Sequence, residues 1–419
     1  VAVLSLAGIV SYTDRLILST MVDPIRHSLG LDDTAVSLLQ GLAFVVVYIT
    51  SSLLFGWLAD RSHRLILLLF GSILWSLATA AGAVATSFAS LFLARVCVGF
   101  GEAALLPAAV SILSDTFPAR LRGTAIGLFM VGFLIGGPAS ITVGGTLLSI
   151  ASHGDFAALP VVGEREPWRQ VLFVVGLAGL CIPVALLTLR EPRRMRESAA
   201  RHTNNSLLFF RDNQRRFLPI YLAVSLLAIG DYGALSWMPT MLSRVFALPT
   251  DQIGREFGAI TISAGIVGCL LGGRLSDLAG AAGGVQGRMV LGVLGAAAAA
   301  SSGLLVLVPD TWAPLAGMGL WTFASALGAM TAIASIQAML PGQYRGRGVS
   351  LITFCTTLLG LGLGPVSVAV LTDTVFRDPA AIGASIATLE LLVGACAALL
   401  FVIAAKTNGS AAQSSGTVP

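Results

Sequence analysis

Four ionisable residues stand where an apolar helix should have none. Asp14 and Arg15 are adjacent in SYTDRLILS at residues 11–19, and Arg95 and Glu102 lie seven apart in LFLARVCVGFGEAALLPA at 91–108. Seven residues are two helical turns, so Arg95 and Glu102 share one face about 10 Å apart along the axis. Neighbours on a helix point about 100° apart, so Asp14 and Arg15 cannot satisfy each other and must look to different partners. Charges inside spans are costly and usually face a cavity or one another. A carboxylate that loses its water binds a proton more readily, and a nearby arginine opposes that. An anion arriving at the arginine therefore changes the carboxylate's proton affinity, which is the chemistry of proton coupling. On this reading Asp14 and Glu102 carry protons. Arg15 and Arg95 bind an anion, arginine being suited to bidentate recognition of phosphate or carboxylate. The sober alternative is a structural ion pair between helices.

The surrounding sequence dictates a membrane setting. The chain has 419 residues, 56% hydrophobic and only 11% charged, with 47 glycines and a mean hydropathy of +0.88. That is too apolar for a soluble chain of this length. Apolar runs of roughly 20 residues, enough to cross the hydrocarbon, fall near 1–22, 34–58, 64–86, 88–114, 121–150, 168–189, 216–243, 252–277, 287–308, 312–340, 345–372 and 380–405. The expectation is an all-α membrane protein of twelve spans, because only helices or a closed barrel cross lipid without stranding backbone donors. The first run is long and has no small-residue cleavage site after it, so it reads as a span and not a signal peptide. Its apolar start at Val1 leads us to expect a short polar leader ahead of it. Cys97, Cys181, Cys269, Cys355 and Cys396 all sit in apolar runs and read as small buried hydrophobes.

The spans divide six and six. Residues 1–189 form one half, 190–216 a basic linker with eight arginines against three acids, 217–405 the second half, and 406–419 a polar tail. By the bias of arginine toward cytoplasmic loops, the linker and both termini are placed in the cytoplasm. The halves echo each other: PARLRG at 118 and PGQYRG at 341, GPAS at 137 and GPVS at 364, GWLAD at 56 and GRLSD at 273. A repeated six-helix unit is the architecture of secondary transporters, with the site near the midplane between repeats. Depth counted at 1.5 Å per residue puts Asp14 and Arg95 level, about 10–12 Å below the outer ends of the first and fourth spans, with Glu102 about two turns deeper. Arg95 is thus expected to meet Asp14, leaving Arg15 to face Glu102, a substrate anion, or both in turn.

At the cytoplasmic end of the second span, GWLADRSHR puts Asp60 where the helix dipole disfavours an acid. It would need a cationic or amide-rich partner, such as the start of the eleventh span near Arg345. Arg61 or Arg64 is within reach of Asp115, next to Arg122. Solvated charges in an ordinary loop, worth about 0–1 kcal/mol per pair, are the alternative. In the fifth span, GFLIGGPASITVGG at 132–145 places Gly137 and Pro138 where a bend or close packing is expected. Asp231 on the seventh span, with Phe133 and Trp237, is a second-tier cavity candidate, and Glu390 on the twelfth is expected to meet a polar neighbour.

These motifs resemble the major facilitator superfamily: G-x-x-x-D-R-x-x-R after a second span is its signature loop, here with His63 at a position usually glycine. The resemblance implies that Asp60 helps latch the two halves in the outward-open state. YTDR, GWLADR and R-x-x-x-G-x-G-E-A together look like the Spinster branch in a bacterial version, whose members move sphingosine-1-phosphate or lysophospholipids. The resemblance implies that Asp14, Arg15, Arg95 and Glu102 are the charged cavity residues, with a proton and an amphiphilic anion as partners in an inner-membrane monomer. An organic-anion symporter branch, for sugar acids or other carboxylates, has a similar D-R and G-x-x-E-A.

Other classes lack their residues. His27, His63, His153 and His202 are all outside the spans, there is no H-E-x-x-H, and no P-loop supports ATP-driven pumping. No metal site, catalytic residue, cofactor or nucleic-acid partner is expected. Every asparagine is in the central loop or tail and only Gln40 and Gln337 sit deep in spans, too few directional partners for a sugar.

Overall fold

The computed structural model describes residues 1–191, 206–341 and 344–415. Most of the basic linker, 192–205, and Gly342 and Gln343 of the second P-x-x-x-R-G copy lie outside the described residues. The protein is built of helices, with no strand among the described residues. Among the described residues, eleven helical stretches are long and apolar enough to cross a bilayer: Ala2–Thr20, Asp33–Ala59, Arg64–Gly82, Phe88–Thr116, Leu121–Ser152, Pro167–Leu186, Gln214–Phe246, Thr250–Val306, Trp312–Met339, Arg345–Phe376 and Pro379–Asn408. At 57 residues, Thr250–Val306 is about 85 Å long, far beyond one hydrocarbon thickness. Its helical geometry breaks at Gly283 and at Gly284, whose φ of 58° suits glycine. It is long enough for the eighth and ninth passes, which is consistent with an architecture of twelve.

The chain divides into two compact units, one of residues 1–197 with 236–259 and the other of 198–235 with 260–419. In the first unit, glycines set how closely helices approach. A Cβ on Gly71 would lie 2.5 Å from the Gly101 carbonyl oxygen, and one on Gly99 2.6 Å from that of Phe44. The fourth span is thereby pressed against the third and the second, as small residues allow in membrane packing. The fifth span runs unbroken through Pro138, from Ala119 to Ser152. Four of its glycines, Gly132, Gly136, Gly137 and Gly144, face the first span: a Cβ on Gly132 would press on the Ser5 carbonyl, and one on Gly136 would meet the Tyr12 Cβ at 2.7 Å.

Two breaks in helices mark the site. The first span is α-helical to Leu16 and continues as a tighter 3-10 turn from Ile17 to Thr20, so Asp14 and Arg15 occupy its last regular turn. The fourth span is interrupted just after Glu102, at Ala103 and Ala104, and resumes at Leu105.

Candidate functional site

The final turn of an α-helix leaves carbonyls without intrahelical donors, and in the first span Arg95 answers them. Its Nη1 donates to the Asp14 carbonyl at 3.3 Å and its Nη2 to the Arg15 carbonyl at 2.8 Å. A cation at a helix carboxy terminus is also favoured by the macrodipole. The approach of Arg95 to the Asp14 carboxylate is looser, 4.0 Å from Nη1 to Oδ1. The hydroxyl of Thr79, from the third span, donates to Asp14 Oδ2. Arg95 thus stands beside Asp14, as depth along the helices leads one to expect, but its directed hydrogen bonds go to the backbone.

Arg15 turns the other way. Its Nη2 donates to Glu102 Oε2 at 2.9 Å and its Nε to the same oxygen at 3.3 Å. Three rings surround the guanidinium: Phe44 at 4.5 Å, Tyr48 at 4.7 Å and Tyr12 at 4.8 Å to their centroids. Ring faces attract a cation most where water is excluded, and here it is: Arg15 is 4% and Glu102 1% exposed. Phe133 stacks edge-on against Tyr12 at 5.9 Å and so backs the cage from behind.

The site has unused hydrogen-bonding capacity. Asp14 Oδ1, Glu102 Oε1, Arg95 Nε and both amide atoms of Gln40 are buried with no hydrogen-bond partner among the described residues. Gln40 ends the short helix Asp33–Gln40, four residues before Phe44 and across the break at Gly41. Unmet polar atoms cost free energy in a dry interior, which makes them candidates for contacts to a polar ligand.

The residues of the signature loop after the second span separate. Arg64, 1% exposed, pairs with Asp115 and donates to Glu191 Oε1 at 2.8 Å and to Ser111 Oγ at 3.1 Å. Arg61 instead lies 4.4 Å over the ring of Trp57, and Arg122 donates to the Phe117 carbonyl at 3.3 Å. Asp60 is exposed at the end of its helix. Burial works against the charged form of Glu191, but hydrogen bonds from the Arg64 side chain and from the Leu65 and Arg64 backbone outweigh it and hold its carboxyl below the usual range.

Asp231, in the other unit, accepts from Trp321 Nε1 at 2.8 Å and from Ser325 Oγ at 2.5 Å. Trp237 is fully buried, 5.9 Å from the Arg244 guanidinium. Arg244 itself grips two acids, reaching Asp23 at 2.6 Å and Asp33 at 2.7 Å. Nothing in the residue pattern announced that knot, since its members come from short helices at 22–40 and from the end of the seventh span.

Comparison with known proteins places this arrangement. The chain matches the Major Facilitator Superfamily over residues 4–365. It is 24% identical over 386 residues to an MFS-type efflux pump of Mycolicibacterium smegmatis, covering 90% of this chain and 85% of that protein. It is 26% identical over 290 residues to Protein spinster of Drosophila melanogaster, covering 66% of this chain but 45% of that longer protein. Sugar-acid transporters stand at similar identity. The crystal structure of a bacterial Spinster homologue, inward-facing and unoccupied, superimposes with a TM-score of 0.79 at 24% identity, covering 97% of this chain and 94% of that one. The family match covers residues 4–365, and the relatives include an efflux pump and probable sugar-acid transporters. This chain belongs to the Major Facilitator Superfamily and is a membrane transporter, not an enzyme.

Proposed function

We propose that the protein is a proton-coupled transporter of an amphiphilic anion of the sphingosine-1-phosphate or lysophospholipid kind. The observation that carries the reading is the buried Arg15–Glu102 pair, 2.9 Å apart inside an aromatic cage. Taking away one member of such a pair leaves an uncompensated buried charge, at a cost of about 3–5 kcal/mol. Two events avoid that cost together: Glu102 takes a proton and Arg15 takes the substrate's anionic head. Binding of proton and anion is then mutually favourable, and the coupling is reciprocal. Asp14 is the second proton carrier, restrained by Thr79 and by the nearby charge of Arg95. In this reading Arg95, with both terminal nitrogens on carbonyls, is a positioning residue that holds the first helix's end, and Gln40 offers polar contact to the headgroup. Gly137 and Pro138 give the fifth span its freedom to bend during the transport cycle, and the Arg64, Asp115, Arg122, Asp60 and Arg61 region acts as the cytoplasmic latch. The rings of Tyr12, Phe44 and Tyr48 around Arg15 give the headgroup an apolar surround.

Uptake of a labelled lysolipid into proteoliposomes, with and without an inward proton gradient, tests this. Gradient-stimulated uptake that is lost in Arg15→Ala supports it; uptake indifferent to the gradient sinks it. The second reading, an organic-anion proton symporter, is favoured by the sugar-acid transporters among the relatives. Competition by glucarate but not by lysolipid would move the assignment there.

A further inference from the structure

Cations gather at one end of the unit formed by residues 198–235 and 260–419. The short helix Ser206–Asp212 stacks Phe209 on Tyr344, with 4.8 Å between ring centroids, and brings it within 6.2 Å of Phe217. Arg216 Nε donates to Asn408 Oδ1 at 3.1 Å, and the Tyr221 hydroxyl donates to the Gly348 carbonyl at 3.2 Å. These contacts join the starts of the seventh and eleventh spans to the end of the twelfth. Arg211, Arg215, Arg216, Arg345, Arg347 and Lys406 each belong to, or lie within two residues of, one of the contacting side chains or Gly348. All but Arg216 are exposed. The one acid in residues 209–217, 344–348 and 406–408 is Asp212, 3.6 Å from Arg211.

Helix stability does not explain this placement. Arg215, Arg345 and Arg347 stand at the amino ends of their helices, where the macrodipole disfavours a cation. Further along each helix the exposed residues are apolar. Leu218 and Leu222 follow Arg215 by three and seven residues, Leu351 and Phe354 follow Arg347 by four and seven, and Ile403 and Leu399 precede Lys406 by three and seven. Those spacings put each cation and its two apolar neighbours on one face of the helix. Three helices thus repeat one pattern, a cation at the rim and about 10 Å of hydrocarbon surface beneath it. A phosphate joined to an acyl chain has the same order of charge and apolar length, and arginine is well suited to phosphate. An anion at this rim also offsets the positive ends of two helices.

We propose that this end of the unit binds anionic phospholipid of the leaflet it meets, with the phosphate among Arg215, Arg347 and Lys406 and the acyl chains along the apolar faces beneath them. The surface is separate from the Arg15–Glu102 pair and does not depend on what the protein transports.

Electron spin resonance of the reconstituted protein, with spin-labelled phosphatidylglycerol and phosphatidylcholine compared in turn, measures the preference for the anionic lipid. A basic residue beside an anionic leaflet is worth about fivefold. Wild type should prefer phosphatidylglycerol by about tenfold or more at low salt, and the preference should shrink as salt rises. In the triple variant Arg215→Gln, Arg347→Gln, Lys406→Gln it should fall to about twofold or less. Removing equal charge from exposed arginines elsewhere, in Arg165→Gln, Arg255→Gln, Arg377→Gln, should leave it unchanged. Equal association of both lipids with wild type, or equal losses in the two triple variants, overturns the proposal. So does displacement of the labelled lipid by inorganic phosphate at constant ionic strength, which would make the patch a site for the free anion. Melting temperatures check that each variant is folded, and Lys406→Gln alone, near the end of its helix, should still lower the preference by about twofold or more.

Discussion

At the scale of residues, the account turns on how two arginines are used. Arg15 holds a carboxylate and Arg95 holds backbone, so substitutions of the two should have different consequences. Arg95→Lys keeps the charge but cannot span two carbonyls with a planar fork. It should lower stability by about 1–3 kcal/mol, seen as a lower melting temperature in detergent, while gradient dependence of uptake survives. If the melting temperature holds and the gradient dependence vanishes, Arg95 is a direct participant. The Arg15–Glu102 encounter was one of the options the sequence left open for Arg15 once depth along the helices had paired Arg95 with Asp14. The direction of Arg95 was not legible: it depends on the first helix ending its regular turns at Leu16, where neither glycine nor proline signals a stop. Thr79 was equally hidden, since a hydroxyl in an apolar helix usually bonds its own backbone and nothing in SLATAAG sets it apart.

Elements contribute through contact distance and through charge at their ends. A side chain at Gly101 would press on the Gly71 carbonyl at 2.7 Å and the Trp75 N–H nitrogen at 2.9 Å. Gly101→Val should therefore destabilise by about 1–3 kcal/mol or more, with a lower melting temperature and less folded protein recovered. Recovery equal to wild type would show that the third and fourth spans can part without cost. Just beyond the sixth span, the carboxyl of Glu191 is held below its usual range in the folded protein. Its contribution is present above the unfolded value of about 4.3 and is lost as pH falls through the lower folded value. Wild type should thus lose melting temperature between about pH 5 and about pH 3, and Glu191→Gln should lose less; identical losses would contradict the assignment. Twelve spans were readable from apolar length alone, and the eighth and ninth fuse into one helical run only because their connecting turn is helical up to Gly283 and Gly284.

For the whole molecule, the membrane-spanning helices and the family match fix the architecture, while sidedness rests on the arginines in alternate loops. With the five natural cysteines replaced, a cysteine in place of Ser62 should react with a membrane-impermeant thiol reagent only from the cytoplasmic side, and one in place of Asp32 only from outside. The reverse pattern would invert the orientation. The ionic knot of Arg244 with Asp23 and Asp33 was invisible in the sequence because it joins segments more than two hundred residues apart and no local pattern links them. The measurement that bears most directly on the central claim is proton-driven uptake of a labelled lysolipid in proteoliposomes containing wild type or Glu102→Gln. With Glu102 the only difference, the account predicts that the gradient accelerates uptake by wild type and has no effect on the variant, which retains downhill exchange because Arg15 is free to bind the anion. Equal stimulation of both proteins by the gradient would contradict it.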